Sequence, residues 1–270
     1  MIYLSLINKN FMNRLLLFFV LLTSVTLHGQ NNTIAAGEKL TFTASYNMSG
    51  LMTDLVQVTM ETKEVKTSKA TLLRLRCKAQ TYNKWDNFFK INDIYETYVN
   101  PKNLTPYLHK REINEGGYYK KMQYNFNRGL NSAKSVKTKK RKDGTFWDEK
   151  KDLTIGSKTN DIVTTIYYIR NLDIHKAPVG SSDNFTILFD NEETSMKITL
   201  LSKETISTKI GKKECYKLAI SLNNDVLSGS TNDNLLWLTA DDNKIPVYAK
   251  FKVPVGNGEL KIQSATGLKH

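Results

Sequence analysis

The stretch Lys39-Leu-Thr-Phe-Thr-Ala-Ser-Tyr46 alternates in polarity at every step. Leu40, Phe42, Ala44 and Tyr46 fall on one side; Lys39, Thr41, Thr43 and Ser45 fall on the other. A period of two is the mark of a strand with one buried face, because successive side chains of a strand point to opposite sides. The pattern recurs outward from there. Val56, Val58 and Met60 alternate with Gln57, Thr59 and Glu61, and Leu73, Leu75, Cys77 and Ala79 oppose Arg74, Arg76, Lys78 and Gln80. Near the C-terminus the apolar sets are Tyr216, Leu218, Ile220 and Leu222, then Ile245, Val247, Ala249, Phe251 and Val253, then Leu260 and Ile262.

Turn residues separate these runs at Asn100-Pro101, Glu115-Gly-Gly117, Asp143-Gly144, Lys209-Ile-Gly211, Asp241-Asp-Asn243 and Gly256-Asn-Gly258. Such short punctuation suits hairpins between antiparallel strands rather than crossover helices. Leu235-Leu-Trp-Leu238 is apolar on both faces and reads as a strand covered on both sides. One segment departs from the pattern. Asp161-Ile-Val-Thr-Thr-Ile-Tyr-Tyr-Ile-Arg170 puts Ile162, Ile166 and Ile169 on one helical stripe, with Thr159 or Asn160 placed to cap it. The expectation is an all-β, antiparallel, strongly curved sheet or incomplete barrel of about ten or more strands, with one short helix at about 160–171 against it. A two-sheet β-sandwich is the alternative.

The N-terminus sets the compartment. Lys9 and Arg14 precede the apolar run Leu15-Leu-Leu-Phe-Phe-Val-Leu-Leu22, and Thr23-Ser-Val-Thr-Leu-His-Gly-Gln30 follows it. The run is too short to span a bilayer and reads as the core of a signal peptide covering residues 1–29. A single β-rich domain, residues 30–270, remains, and no later segment reads as a transmembrane helix. The formal net charge is +13, of which the signal carries two, so the exported chain is basic. Basic surfaces favour anionic partners. Export to the periplasm or cell envelope leaves lipid, anionic glycan or another envelope protein as partners, and makes nucleic acid an unsuitable one. The two cysteines, Cys77 and Cys215, occupy different kinds of strand face and are not expected to form a disulfide.

Several motifs together resemble a known family. They are Gly37-Glu38-x-Leu40-x-Phe42-x-x-Ser45-Tyr46, Asp93-x-Tyr95-x-x-Tyr98-Val99-Asn100, Leu104-Thr-Pro106, Arg111-x-x-x-Glu115-Gly116, the segment 161–170, Gly211-Lys-Lys-Glu-Cys-Tyr216, and Trp237-x-Thr239-x-Asp241-Asp-Asn-x-x-Pro246. From about Gly37 to Leu260 the chain resembles the uncharacterised bacterial family catalogued as domain of unknown function 3108. The resemblance implies an exported protein of one domain and transfers no activity and no catalytic residue.

The residues themselves offer little catalytic chemistry. No His-x-x-x-His or Cys-x-x-Cys spacing exists to ligate zinc, and Asp241-Asp-Asn243 lacks the spaced carboxylates of a calcium loop. There is no Gly-x-Ser-x-Gly elbow and no phosphate-cradling loop, so no cofactor, metal or catalytic set is expected. The six basic residues between Lys134 and Lys142 read as a solvated edge strand and its turn, the use to which sheets put charge at exposed edges. Aromatics crowd the N-terminal half: Tyr82, Trp85, Phe88, Phe89, Tyr95, Tyr98, Tyr107, Tyr118, Tyr119 and Tyr124. Such residues fill a core or line a cavity. The candidate ligand-binding set is Tyr95, Tyr98, Tyr107, Tyr118 and Tyr119, with Arg111 to hold an anionic group. Three functions compete: an exported envelope protein that binds an apolar or amphiphilic ligand in a concave sheet face, a structural or assembly partner, and a glycan hydrolase working through carboxylates such as Asp93, Glu96, Glu112 and Glu115.

Overall fold

A computed structural model describes residues 30–48, 50–85, 89–222, 233–253 and 256–270. The expected signal segment 1–29, with His28, and the aromatic Phe88 lie outside the described residues. The protein is all-β, with fourteen antiparallel strands in one unclosed sheet among the described residues. They are β1 (Lys39–Met48), β2 (Leu51–Lys66), β3 (Thr71–Thr81), β4 (Asn92–Val99), β5 (Pro106–Glu115), β6 (Tyr118–Asn127), β7 (Ser132–Lys140) and β8 (Phe146–Thr154), then β9 (Ser182–Phe189), β10 (Glu192–Thr208), β11 (Gly211–Leu222), β12 (Leu235–Thr239), β13 (Pro246–Val253) and β14 (Gly256–Thr266). One α-helix among the described residues, α1 (Ile162–Ile169), lies between β8 and β9.

The spatial order is β8 to β1, then β14 down to β9. Every neighbour is therefore also a neighbour in sequence except the β1–β14 pair, in which Lys39 faces Thr266 and Tyr46 faces Gly258. The two free edges belong to β8 and β9, which are consecutive in the chain. One continuous hydrogen-bonded sheet replaces the two sheets of a sandwich. The sheet curls, because the β9–β10 turn reaches side chains of β5, β6 and β7 at its far end. Just after β8, the Asn160 N–H donates to the Thr186 carbonyl (2.9 Å) and the Leu188 N–H donates to the Asn160 carbonyl (2.8 Å), a short parallel stitch across the seam.

The core follows from the alternation. Leu40, Phe42, Leu73, Leu75 and Val99 are buried together with Val163 and Tyr167 of the helix. A second cluster joins Ile169 and Ile174 to Met196, Ile198, Leu218 and Leu238. Each such side chain contributes about 1.5–3 kcal/mol of burial.

The alternation fails where the other face is also covered. Thr43 and Ser45, expected on the solvent side, are buried. The Thr43 hydroxyl lies 2.8 Å from the Tyr82 hydroxyl, and the Ser45 hydroxyl donates to Asp54 (2.6 Å). The ladder slips beside both residues, after Thr41 against β14 and after Ala44 against β2. Likewise Cys215 is fully buried although it opposes the buried Tyr216 on β11.

The helix is shorter than expected, and its cap is Asp161 rather than Thr159 or Asn160. Three capping-type residues stand in a row, and their other partners decide among them. Thr159 gives its hydroxyl to Glu193, and Asn160 spends its backbone on β9. Asp161 is left to accept the Thr164 N–H (3.0 Å), the Thr164 hydroxyl (2.7 Å) and the Thr97 hydroxyl (2.8 Å). Burial opposes the charge on Asp161, but His109, whose Nδ1 is 3.2 Å away, and Thr164 outweigh it and hold the carboxyl down at about 2. Since the Thr97 hydroxyl donates to Asp161, it must accept from His109 Nδ1 (2.8 Å), which fixes a proton on that nitrogen. The helix lies inside the curl, so burial extends round it from Ile169 to Val163, Thr164, Thr165 and Tyr167.

At the helix end, Arg170 and Glu38 are both wholly buried and form a two-pronged ion pair, each N–O distance 2.6 Å. Arg170 Nε also donates to the Asn243 carbonyl (3.1 Å). Glu38, Arg170 and Asn243 come from three separate motifs, Arg170 standing 132 residues from Glu38 and 73 from Asn243.

Candidate functional site

The concave side of the sheet holds an apolar cavity of about 280 Å³ between α1 and the β9–β10 hairpin. Cys77 of β3, Tyr95 of β4, Ile162, Val163 and Ile166 of α1, Ile187 and Phe189 of β9, Thr194 of β10 and Leu222 of β11 line it. Ile162 and Ile166, which α1 presents to the cavity, remain only half-buried. Burial pushes the Cys77 thiol up to about 12 and raises the Tyr95 phenol, so neither lining group carries charge near neutral pH. A second recess of about 470 Å³ lies over β12 to β14, lined by Ile206, Lys209, Trp237, Tyr248, Lys261 and Gln263 among others. It holds none of the expected site residues.

The six expected residues separate. Tyr95 and Arg111 are direct cross-strand partners, in one row with Cys77 and Met122 on the concave face. The Arg111 guanidinium stacks 4.4 Å from the centre of the Phe189 ring, so it adjoins the cavity through two lining residues. The other four lie elsewhere. Tyr98 is on the opposite face and donates its hydroxyl to Glu96 (2.7 Å). Tyr119 is also on the opposite face, edge-on to Phe146 at 5.4 Å. Tyr118 has the concave parity but sits exposed at the strand end, and Tyr107 is exposed beside the bulge between β4 and β5.

Arg111 is engaged from across the seam. Asp190, in the two-residue turn between β9 and β10, accepts from Arg111 and from Lys120 Nζ (2.5 Å). The next residue completes the clasp: the Ser135 hydroxyl donates to Asn191 Oδ1 (2.5 Å), and the Asn191 N–H donates to the Tyr124 hydroxyl (3.0 Å). Both turn residues have positive φ, 50° and 74°, as a primed hairpin turn requires and as Asp and Asn tolerate. Burial opposes the Asp190 charge, but Lys120 and Arg111 outweigh it and hold the carboxyl below its usual range. Lys120 is lowered, burial being the main cause.

Sequence reasoning missed Asp190 and Lys120. The available signal was Asp190-Asn191 between two alternating runs, a hairpin mark. Its contact with β5 spans 79 residues and has no local trace.

The carboxylates do not form a hydrolase pair. Buried Asp93 accepts the Asn114 N–H (2.9 Å) and is hydrogen-bonded to Glu115. Burial and Asp93 push Glu115 up to about 7. Glycosidase carboxyls stand about 5 Å or more apart to admit the scissile bond, which a directly bonded pair does not. Asp241 Oδ1 accepts from the Thr239 hydroxyl (2.7 Å) and from the Asn243 and Lys244 N–H groups (3.1 and 3.0 Å), so it is spent on its own turn. No cluster of metal-ligating side chains occurs among the described residues, and no helix there is long and apolar enough to cross a membrane.

Among solved structures, the chain is similar to a beta-barrel-like protein of domain of unknown function 1849 from Brucella abortus. The identity is 7%, the match covers 87% of this chain and 98% of that one, and the TM-score is 0.53, a likeness of fold alone. Two others align at a TM-score of 0.31. One is a putative exported protein with a YmcC-like fold from Bacteroides fragilis (7% identity, 88% and 99% of the two chains). The other is a putative lipoprotein from Parabacteroides distasonis (11% identity, 86% and 96%). A comparison with curated proteins gives no match. The family model described as protein of unknown function (DUF3108) matches residues 41–263, nearly the whole sheet, and the chain belongs to that family.

Proposed function

We propose that this is an exported envelope protein that holds an apolar or amphiphilic ligand on the concave face of its sheet. The observation that carries the reading is the apolar cavity of about 280 Å³ inside the curl, partly open to solvent. Protein interiors are close-packed, and voids of this size are rare in a finished core. The volume is near the lower end for small-molecule sites, and about twice the ~150 Å³ apolar cavity that takes up one benzene, so it suits a chain of about ten carbons. Export rests on the sequence of the first thirty residues, and the basic surface suits work beside anionic lipid or glycan.

The test uses the mature chain and the neutral fluorescent probe N-phenyl-1-naphthylamine, with 1-decanol as competitor. One-site, saturable binding displaced by decanol is expected. Thr194→Trp and Ile166→Trp, which fill the cavity from opposite walls, should each abolish binding while the protein still melts cooperatively. Binding that survives both substitutions, or no binding by the native chain, sinks the reading.

A further inference from the structure

We infer that Arg111, beside the apolar cavity, and Lys120, which shares Asp190 with it, form the seat for the anionic head of a single-chain amphiphile, and that Asp190 occupies this seat while no ligand is bound. The inference rests on the cavity reading above and adds the chemical class of the ligand and the group it displaces.

The burial is lopsided. The side chains of Arg111 and Lys120 are 5% and 11% exposed, but that of Asp190 is 43% exposed. Two nearly buried cations thus face one carboxylate that is almost half in water. The cations are the fixed part of the arrangement. Arg111 is held by stacking on Phe189 and by donating to Met122 Sδ (3.5 Å), and Lys120 is paired on both sides, with Ile113 of β5 and Lys139 of β7. Lys137 adds a third cation beside Lys120, and its own carboxylate partner is Glu149, at 3.2 Å. Across Tyr95 stand Asp93 and Glu115, and burial and Asp93 push the Glu115 carboxyl up to about 7. Asp190 is thus the carboxylate that both cations share, and its side chain is the most exposed of the three.

The geometry joins the seat to the cavity. Phe189 and Tyr95 line the cavity, and Arg111 touches the first and pairs across strands with the second. A ligand whose chain lies between Ile166 and Ile187 places its head at the rim where Arg111 stands. A guanidinium and an ammonium side by side suit a carboxylate or a phosphate monoester, which the fork of Arg111 can grip with two bonds. Asp190 is carried by a two-residue turn whose other holds are the two Asn191 hydrogen bonds, so displacing its carboxylate requires no strand to unpair.

The test compares sodium decanoate with 1-decanol, equal in chain and different in charge, by displacement of N-phenyl-1-naphthylamine from the mature protein. Decanoate should bind about tenfold tighter than decanol, the gain of one charge-assisted hydrogen bond in a shielded site. Asp190→Asn keeps the turn geometry and removes the competing charge. It should tighten decanoate at least about tenfold and leave decanol unchanged. Arg111→Gln, or Lys120→Gln should the former fail to fold, should erase the decanoate advantage and spare decanol. Decyl phosphate in place of decanoate tells a phosphate head from a carboxylate head, and binding of either one above decanol supports the seat. Decanol binding with no advantage for decanoate or decyl phosphate, or an Asp190→Asn variant with an unchanged ratio, overturns the seat and leaves the cavity standing. Failure of probe and decanol alike overturns the cavity itself.

Discussion

Asp161 is the residue on which the interior turns, because it caps α1 and ties the cap to β4 and β5 through Thr97 and His109. Its carboxyl is held at about 2, below the ordinary value. A depressed carboxyl contributes stability that is complete above the unfolded value near 4 and is lost as pH falls through the folded value. The expected result is a loss of about 2 kcal/mol between about pH 4 and pH 2, absent in Asp161→Asn, read by urea melts across that range. Glu115 is the opposite case. Its carboxyl is pushed up to about 7, so the folded state is penalised as pH rises from the ordinary carboxyl range through 7. Glu115→Gln, which can still donate to Asp93, should raise the melting temperature at pH 8 and change little at pH 4. Equal effects at both pH values would refute the raised Glu115 carboxyl. Removing one member of the buried Arg170–Glu38 pair strands the other, and Glu38→Gln or Arg170→Met should cost about 3–5 kcal/mol in the same melts.

At the scale of strands and helix, the two cysteines make a simple check. Cys77 on β3 and Cys215 on β11 are free, and burial pushes their thiols up to about 12 and about 11. The thiolate is the reactive form, so native protein at pH 8 should resist iodoacetamide at both sites, and both should react once unfolded, as mass spectrometry would count. The faces of β3 were readable from alternation alone. Those of β1 and β11 were only half readable, since period two says which side a residue takes but not what later covers that side. Tyr82 covers Thr43 after a separation of 39 residues. The helix was legible as a helix, but its cap was not, because Thr159, Asn160 and Asp161 all cap well and distant partners choose among them. Tyr95 and Arg111 were legible as neighbours because β4 and β5 are adjacent in the chain. Tyr98 and Tyr119 share the same aromatic character and lie on the other face. Asp190 came from a hairpin whose destination no local pattern records.

At the scale of the whole molecule, the β1–β14 ladder is, among the described residues, the one strand ladder that joins strands not consecutive in the chain. It is reinforced near the C-terminus, where the Asn243 side chain donates to the His270 carbonyl (2.6 Å) and accepts the His270 N–H (3.0 Å). A chain ending at Val253 would leave β1 and β13 with raw edges and open the core at Ile262. Circular dichroism of that truncation should show no cooperative melt, and a native-like melt would mean that the sheet does not depend on the join. The seam between β8 and β9 works in the other direction. In a closed barrel, strand number and stagger fix the girth, and the interior can change only by changing both. Here the circuit is completed by side chains of a turn and one short backbone stitch, so girth is an adjustable quantity. A wider interior needs only a longer reach from residue 190 to β5 and β6, as a belt lets out by one notch, with all thirteen strand-to-strand ladders left as they are.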